Sequence, residues 1–434
     1  MGDNPITIAL FLLKPVWRQF WAWGWVILPI AIGPMVWQAW IYYIRIRTMR
    51  KFKWVILELK FPPDVEKTPL AMEQVFAVLT SAYYKGGWWK RYVEGRVQEW
   101  FSFEIVSFGG ELHFLIRMVS HFRNMVESAI YSQYPHAELS EAEDYVWNVP
   151  LIIPNETYDL FGSEYFLDKP DSYPIRTYKK DFEFSTEEGK GNVDPLAALT
   201  ESMSKLKDGE QFWFQIALRP TTDDWKKEGE ELVGKLMGKQ KTAPPSGSFS
   251  WALIKHEITS LIKGSAQAPF KIPEYDDFEF GAKKDPSKPH SLMQFLSPLE
   301  KEAVEAIELK MSKVAFETVI RMVYVAKKEA FSIPQFFSVV SGLRQFNTQH
   351  LNAIKWNVKT LTAAKFPFKK RKEKQKKRWL LYNYRIRGRP KKMFIFNVEE
   401  LATLFHIPGR IVASPTMPRL QAKKGEPPPG LPTY

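Results

Sequence analysis

The sequence of 434 residues contains no cysteine, and its seven histidines stand singly along the chain. The absence of cysteine excludes disulfide bonds, thiolate zinc sites, cysteine-ligated iron–sulfur clusters and a cysteine nucleophile. His256 is followed by Glu257 but not by a second histidine at helical spacing, so the zinc-protease motif is absent. We therefore predict that the chain is not an enzyme, and that it binds no cofactor and no metal.

A phosphate-binding loop is also missing. The nearest pattern, residues 229–236, has the right glycine spacing before Lys235, but Leu236 stands where the loop needs a hydroxyl for Mg²⁺. Two glutamates inside the pattern would repel phosphate. A charged surface helix explains this segment better than a nucleotide site.

Positively charged residues outnumber negatively charged ones. The chain has 61 Lys and Arg against 48 Asp and Glu, a formal net charge of +13. Such an excess indicates an anionic neighbour, either nucleic acid or a negatively charged membrane surface. With 45% hydrophobic residues, the chain can also bury a core, which excludes disorder throughout.

Residues 20–44 form a run of 25 residues without a charged side chain. A helix of this length covers the roughly 30 Å hydrocarbon core of a bilayer. Two cations precede the run and five follow it closely, which places the C-terminal side in the cytoplasm. We predict a membrane anchor over residues 1–53, with a single-pass topology and a cytoplasmic body. The predicted membrane-interface residues are the aromatic side chains at the two ends of the run: Trp21, Trp23, Trp25, Trp37, Trp40, Tyr42 and Tyr43.

Beyond the anchor, the apolar pattern predicts two units. Residues 54–175 read as strand, helix, hairpin and helix, the order of a ferredoxin-like βαββαβ unit. Residues 176–412 repeat this order around an insertion at 221–298. Ile-Arg-Met-Val occurs at 116–119 and again at 320–323, which favours a duplication. The predicted fold class is α+β, a transmembrane helix followed by two ferredoxin-like βαββαβ-type units, the second with a long insertion. The strands predicted in the second unit are 178–184, 211–218, 314–325 and 393–396.

The clearest surface signal lies in residues 365–378, where nine cations and one acid occur among fourteen residues. Three interpretations stay open: a solvated hairpin loop between two strands, a contact with nucleic-acid phosphates, or a contact with anionic lipid. Stacking on single-stranded bases could be added by Trp379, Tyr382 and Tyr384 beside Arg385, Arg387 and Arg389. The predicted anion-contact residues are Lys369, Lys370, Arg371, Lys372, Lys374, Lys376, Lys377 and Arg378.

Three segments resemble the region that precedes the motor in bacterial conjugative-transfer (type IV secretion) ATPases of the coupling-protein and TraC-like kinds. They are residues 69–76 (PLAMEQVF), 129–135 (AIYSQYP) and 396–408 (FNVEELATLFHIP). In that family a Pro-rich linker leads into a RecA-like ATPase. Here the Pro-rich tail, residues 413–434, is not followed by such a domain. The resemblance therefore implies the N-terminal, membrane-anchored region without the ATPase domain.

The resemblance implies a non-enzymatic, membrane-anchored scaffold or adaptor of a type IV secretion or conjugative DNA-transfer apparatus. Such a protein would lie in the bacterial plasma membrane and recruit a separate RecA-like motor ATPase, with its Pro-rich tail as the docking segment. The alternative function is a membrane-tethered nucleic-acid-binding protein that uses residues 365–378, with DNA as its partner. A homo-oligomer that forms a ring on a hexameric motor is a further expectation.

Overall fold

The computed structural model describes residues 32–62, 67–181, 194–237, 296–388, 390 and 393–408. The strands are β1 (Trp54–Lys60), β2 (Phe101–Phe108), β3 (Glu111–Val119), β4 (Glu138–Glu141), β5 (Tyr158–Leu167), β6 (Glu210–Pro220), β7 (Ala315–Lys327), β8 (Ile354–Trp356) and β9 (Phe394–Asn397). The helices are α1 (32–49), α2 (Pro69–Leu79), α3 (Trp88–Tyr92), α4 (Arg123–Gln133), α5 (Tyr178–Asp181), α6 (Ala197–Ser204), α7 (Lys226–Leu236), α8 (Pro298–Ser312), α9 (Ile333–Ser341), α10 (Lys369–Arg385) and α11 (Val398–Leu404).

The described strands form one nine-stranded sheet in which every pairing is antiparallel. The order runs β4-β1-β3-β2 from one edge and β8-β5-β7-β6 from the other, and the two sets meet where β2 pairs with β6. The short strand β9 pairs with the beginning of β7, beyond the part of β7 that β5 occupies. The longest strand, β7, is therefore bordered along its whole length.

One face of the sheet carries the larger apolar core. Alternate residues of the central strands point into it, among them Phe103, Phe214 and Met322, all fully buried. Helices α2, α4, α6, α9 and α11 cover this face. In α2, for example, Met72, Val75, Phe76 and Leu79 follow helical spacing and are fully buried.

Helix α10 and the segment 145–153 cover the opposite face. Their apolar side chains, such as Leu380 and Tyr384, pack on the residues of the central strands that the first core does not use, including Val106, Trp213 and Val323. Because both faces are covered, the central strands are buried on both sides. This explains why β7 is almost continuously apolar in sequence instead of alternating.

The prediction of two ferredoxin-like units is wrong, although the fold is α+β. The strands belong to one continuous sheet: β2 and β6 pair from Phe101↔Leu218 to Phe108↔Gln211. The larger core also runs without a break from α2 and α4 to α6 and α9. Hydrophobic patterns locate strands, but they do not reveal that two outer strands will pair with each other.

The strand assignment after residue 150 also needs correction. Tyr178 begins helix α5, not a strand, and residues 182–184 lie outside the described residues. The strand missing from the sequence prediction is β5, which contains Asp159, Gly162 and Glu164 among its apolar residues. Residues 211–218 and 314–325 do lie in strands, β6 and mainly β7, and 393–396 falls largely in β9.

No helix in the described part of the chain is both long enough and apolar enough to cross a bilayer. This finding contradicts the predicted transmembrane helix over residues 20–44 and the single-pass plasma-membrane localisation that depended on it. Residues 20–31 of that run lie outside the described residues. The remainder of the run belongs to α1, which continues to residue 49 and includes Arg45 and Arg47.

Two of the predicted regions fall largely beyond the described residues. Of the predicted insertion 221–298, the structure describes residues 221–237 with α7, and residues 296–298 at the beginning of α8. Residues 238–295 and the Pro-rich tail, from 409 onward, lie outside the described residues.

Candidate functional site

The eight predicted anion-contact residues all lie on one helix, α10, and not in a hairpin loop. The helix consists largely of Lys, Arg, Glu, Gln and Leu, which are good helix formers. It begins after Phe368, whose backbone is left-handed with φ 61° and ψ 33°, and it ends before Arg387, where φ is again positive at 48°. Backbone reversals at both ends thus define its length, which is roughly 25 Å at 1.5 Å per residue.

The C-terminal half of α10 is fastened to the protein. Leu380, Leu381 and Tyr384 are buried in the second core. The guanidinium of Arg385 donates hydrogen bonds of 2.8 to 3.1 Å to the carbonyl groups of four residues on the 145–153 segment: Val146, Val149, Pro150 and Leu151. This half of the helix is therefore held rigidly on the sheet.

Two of the predicted anion-contact residues, Lys376 and Lys377, help to attach α10 to the protein. The Lys376 ammonium donates to the carbonyls of Val358, Leu361 and Ala363 at 2.9 to 3.2 Å. Lys377 lies 2.6 Å from a carboxylate oxygen of Asp159. We therefore remove Lys376 and Lys377 from the set of residues that can meet an external anion.

Five other cations of α10 point into solvent, whereas Lys369 lies 4.0 Å from a carboxylate oxygen of Glu373 and Arg385 is buried. Lys370, Arg371, Lys372, Lys374 and Arg378 are exposed, and none of them forms an ion pair with a described residue. Arg371, Lys374 and Arg378 follow the spacing i, i+3, i+7 and so share one side of the helix. Five unneutralised charges on a helix that is anchored elsewhere form a preformed cationic surface, which we call the α10 surface.

Exposed aromatic rings lie at both ends of the α10 surface. Phe366 and Phe368 precede it and are 91% and 72% exposed, while Tyr382 and Trp379 in the helix are 63% and 45% exposed. The sequence prediction included Trp379 and Tyr382 but omitted the two phenylalanines, although both stand between lysines in the sequence KFPFKK. Exposed rings beside cations can stack on unpaired bases.

The remaining predicted stacking residues have structural positions. Tyr384, Arg385 and Arg387 are buried. Arg389 lies outside the described residues. Stacking at this site would therefore depend on Phe366, Phe368, Trp379 and Tyr382 alone among the described aromatic side chains of this segment.

A buried charge network lies beneath the end of α10. Arg387 forms hydrogen bonds of 2.9 and 3.1 Å with Glu104 of β2, and of 2.7 and 2.9 Å with Asp144. The Tyr145 hydroxyl lies 2.8 Å from Glu104 and 2.7 Å from the Tyr384 hydroxyl. Burial alone would raise the pKa of Glu104, but the positive charge and hydrogen bonds of Arg387 outweigh it and lower that pKa.

The network continues across the sheet as a row of directly paired polar residues. Glu104 on β2 faces Gln215 on β6, Gln215 faces Arg321 on β7, and Arg321 faces Glu164 on β5. Arg321 donates to Glu164 at 2.8 Å and to Gln215 at 3.0 Å, and it also contacts the carbonyl of Gly388. This row ties the chain after α10 to four central strands. Its signal in the sequence is a polar residue inside the apolar run of each strand: Glu104, Gln215, Arg321 and Glu164.

The predicted membrane-interface residues divide into two groups. Trp37, Trp40, Tyr42 and Tyr43 lie on α1 and are exposed. Trp21, Trp23 and Trp25 lie outside the described residues.

No group of three or more His, Asp or Glu side chains within the described ranges is arranged to hold a metal ion. A cleft with a volume of about 710 Å³ lies beside the end of β5, lined by residues such as Asp168, Asn357 and Lys359. The prediction that the chain is not an enzyme stays a prediction.

Residues 62–418 match the family described as "Domain of unknown function (DUF8128)". The match covers well over half of the chain, and the protein therefore belongs to this family. No curated protein matches the chain. The predicted link to conjugative-transfer ATPases stays a prediction.

Proposed function

We propose that this member of the DUF8128 family binds the phosphate backbone of nucleic acid, and single strands in particular, through the α10 surface. The observation that carries the proposal is the set of five exposed cations without an acidic partner among the described residues, on a helix whose other half packs on the sheet. Helix α10 contains a single acid, Glu373, which pairs with Lys369, so acids of the same helix do not neutralise these five cations.

The position of the cations within the helix supports the same function. Lys370, Arg371 and Lys372 lie in the first turn of α10, where the helix dipole already places positive partial charge. Cations there destabilise an isolated helix, and no side chain caps this end. A phosphate backbone would relieve that repulsion, because it offers negative charge to both the side chains and the free N–H groups.

The exposed aromatic rings favour single strands over a duplex. In a duplex the bases are stacked on one another and offer no free face. In a single strand each base can stack on an aromatic ring, at about 1–3 kcal/mol per base. Phe366, Phe368, Trp379 and Tyr382 are exposed along the same segment as the cations.

The proposal is tested with the triple variant Arg371→Gln, Lys374→Gln and Arg378→Gln. Its matched control is Lys205→Gln, Lys207→Gln and Lys227→Gln, which removes the same charge from exposed positions elsewhere. Affinity for a labelled single-stranded oligonucleotide is measured by fluorescence anisotropy at several salt concentrations. Each phosphate contact contributes about 0.7 to the salt slope of single-strand binding. We expect the triple variant to lower that slope by about 2, and the control to leave it near the wild-type value.

Equal losses in the two triple variants would contradict the proposal, because binding would then follow net charge and not a defined surface. A wild-type protein that binds no oligonucleotide even at low salt would contradict it as well. The adaptor role, with a separate RecA-like ATPase as partner, stays a prediction that rests on the sequence resemblance.

A further inference from the structure

A second basic site lies far from the α10 surface. A cleft of about 420 Å³ is formed by α1, the segment 83–98 and the adjoining ends of β6 and β7. Four of its lining residues are arginines, namely Arg45, Arg91, Arg96 and Arg219, and one is an acid, Glu317. A cleft of this volume is large enough for a small ligand.

The acid in the cleft is already paired. Glu317 and Arg219 are direct neighbours across the β6–β7 pair and form an ion pair. Arg96 also interacts with the charges of Glu94 and Glu99, and its guanidinium lies 5.1 Å from the centre of the Tyr84 ring. Glu99 in turn lies 2.9 Å from His121. Within the described ranges, neither Glu317 nor Glu99 forms its ion pair with Arg45.

No ion pair joins Arg45 to an acid among the residues that the structure describes. Its Nε atom is buried and forms no hydrogen bond within the described residues. Burial, together with the positive charge of Arg45, lowers the pKa of Arg219. Arg45 and Arg219 both line the cleft, and an anion bound there would reduce the repulsion between their positive charges.

Specific packing holds Arg45 in this position. Thr48 of α1 donates a hydrogen bond of 3.0 Å to the carbonyl of Glu94. Gly95 has φ +70°, and a Cβ atom there would lie 2.7 Å from the backbone of Ile44. Only glycine therefore permits α1 to approach the 83–98 segment so closely. The neighbouring residues, Arg45 on α1 and Arg96 on the segment, are brought together by this contact.

We propose that the arginine cleft binds a phosphoryl group. Guanidinium groups match phosphate oxygens as paired donors, and several of them converging from different elements suit a tetrahedral anion better than a planar carboxylate. The phosphoryl group belongs either to a small soluble phosphate compound or to a lipid headgroup, and the chemistry of recognition is the same for both.

The site is independent of the α10 surface. Glu317 lies near the beginning of β7, whereas Asp159, the partner of Lys377 on α10, pairs with Ala326 near its end. Nine residues of strand separate these positions, roughly 30 Å at about 3.3 Å per residue. The two sites can therefore be tested separately.

The test compares Arg45→Gln with Arg47→Gln, an exposed cation on the same helix that does not line the cleft. Binding of inorganic phosphate and of pyrophosphate is measured by calorimetry. Co-sedimentation with phosphatidylcholine vesicles that contain phosphatidic acid covers the lipid source, with pure phosphatidylcholine as the blank. We expect at least one of these probes to bind, and Arg45→Gln to weaken that binding about tenfold, the effect of losing one charge-assisted hydrogen bond. Arg47→Gln should bind as the wild type does.

Arg45→Gln should keep or raise the melting temperature without ligand, because it removes the repulsion from Arg219. The α10 triple variant should bind the phosphate probes with unchanged affinity, so failure at one site is distinguishable from failure at the other. The inference is overturned if no probe binds the wild-type protein, or if Arg45→Gln and Arg47→Gln weaken binding equally.

Discussion

Single buried charges hold the candidate surface in place. Arg387 is fully buried and pairs with both Glu104 and Asp144, so its removal would leave two carboxylates without their cation. Breaking a buried pair from one side is far more damaging than replacing the whole pair by apolar side chains, because the remaining charge stays buried.

We predict that Arg387→Met lowers the free energy of unfolding by about 3–5 kcal/mol, as measured by urea denaturation. The matched control is Arg378→Met, an exposed arginine on the same segment, which should change stability by less than about 0.5 kcal/mol. A small effect at position 387 would show that water reaches the network and replaces the guanidinium.

A second prediction concerns acid stability at the residue scale. Glu58 lies 2.5 Å from the Nδ1 atom of His113, and the hydrogen bond from His113 lowers the pKa of Glu58 below its ordinary value. A carboxyl group with a lower pKa in the folded state stabilises the protein above its unfolded-state pKa of about 4.3. That contribution is lost as the pH falls through the lower, folded-state value.

Glu58→Gln should therefore be less stable than the wild type above pH about 5, and the difference should shrink as the pH falls below about 4. Thermal unfolding followed by circular dichroism at a series of pH values measures this. Glu111→Gln, an exposed carboxyl on the neighbouring strand β3, should follow the wild-type curve. A gap between Glu58→Gln and wild type that stays constant with pH would contradict the prediction.

At the scale of elements, helix α10 shows why local pattern alone is an incomplete guide. Its first ten residues are polar on all sides, so no apolar periodicity marks a helix there, and a solvated loop is a reasonable interpretation of the sequence. The helix is fixed by its second half, through Leu380, Leu381 and Tyr384, and by hydrogen bonds from Arg385 to a segment more than 230 residues earlier. Contacts of that range are not readable from one sequence.

The residue before α10 gives a prediction at the scale of this element. Phe368 adopts a left-handed backbone conformation that is unfavourable for residues other than glycine. Its ring is exposed, so no burial of the ring compensates for this strain. We predict that Phe368→Gly raises the free energy of unfolding by about 1 kcal/mol, since the strain is removed, while it weakens single-strand binding several-fold, since a stacking ring is lost.

Chemical denaturation and oligonucleotide anisotropy on the same preparation measure both effects. Phe366→Gly, which removes a ring from a position without positive φ, should weaken binding without any gain in stability. If Phe368→Gly bound as tightly as the wild type, the exposed phenylalanine would have no part in recognition.

At the scale of the whole molecule, the sequence predicts individual strands and helices better than the way the strands pair. Strands β1, β2, β3, β6 and β7 and helices α2, α4, α6 and α9 follow from hydrophobic spacing, proline positions and turn signals. The pairing of β2 with β6 cannot be predicted in this way, because two strands about a hundred residues apart leave no local pattern of their pairing in the sequence. Strand β5 is missed because two acids interrupt its apolar pattern: half-buried Asp159 and buried Glu164. These acids pair with cations on α10 and β7 that only the fold brings near.

The continuous sheet has a consequence for the candidate site. The row of polar residues from Glu104 to Glu164 links four strands to Gly388, just after the end of α10. The α10 surface is therefore attached to the most buried part of the protein. Rigid attachment reduces the conformational entropy lost when a ligand orders the surface. It also predicts that ligand binding changes the protein locally, near the first half of α10, and not in the core.

Hydrogen–deuterium exchange with and without a saturating single-stranded oligonucleotide tests the central claim most directly. Bound phosphates should stabilise the first half of α10, so we expect slower exchange of the amides of residues 368–379, with little change in β6, β7 or the 83–98 segment. An oligonucleotide that binds while the exchange of residues 368–379 stays unchanged would contradict the assignment of the α10 surface as the nucleic-acid interface.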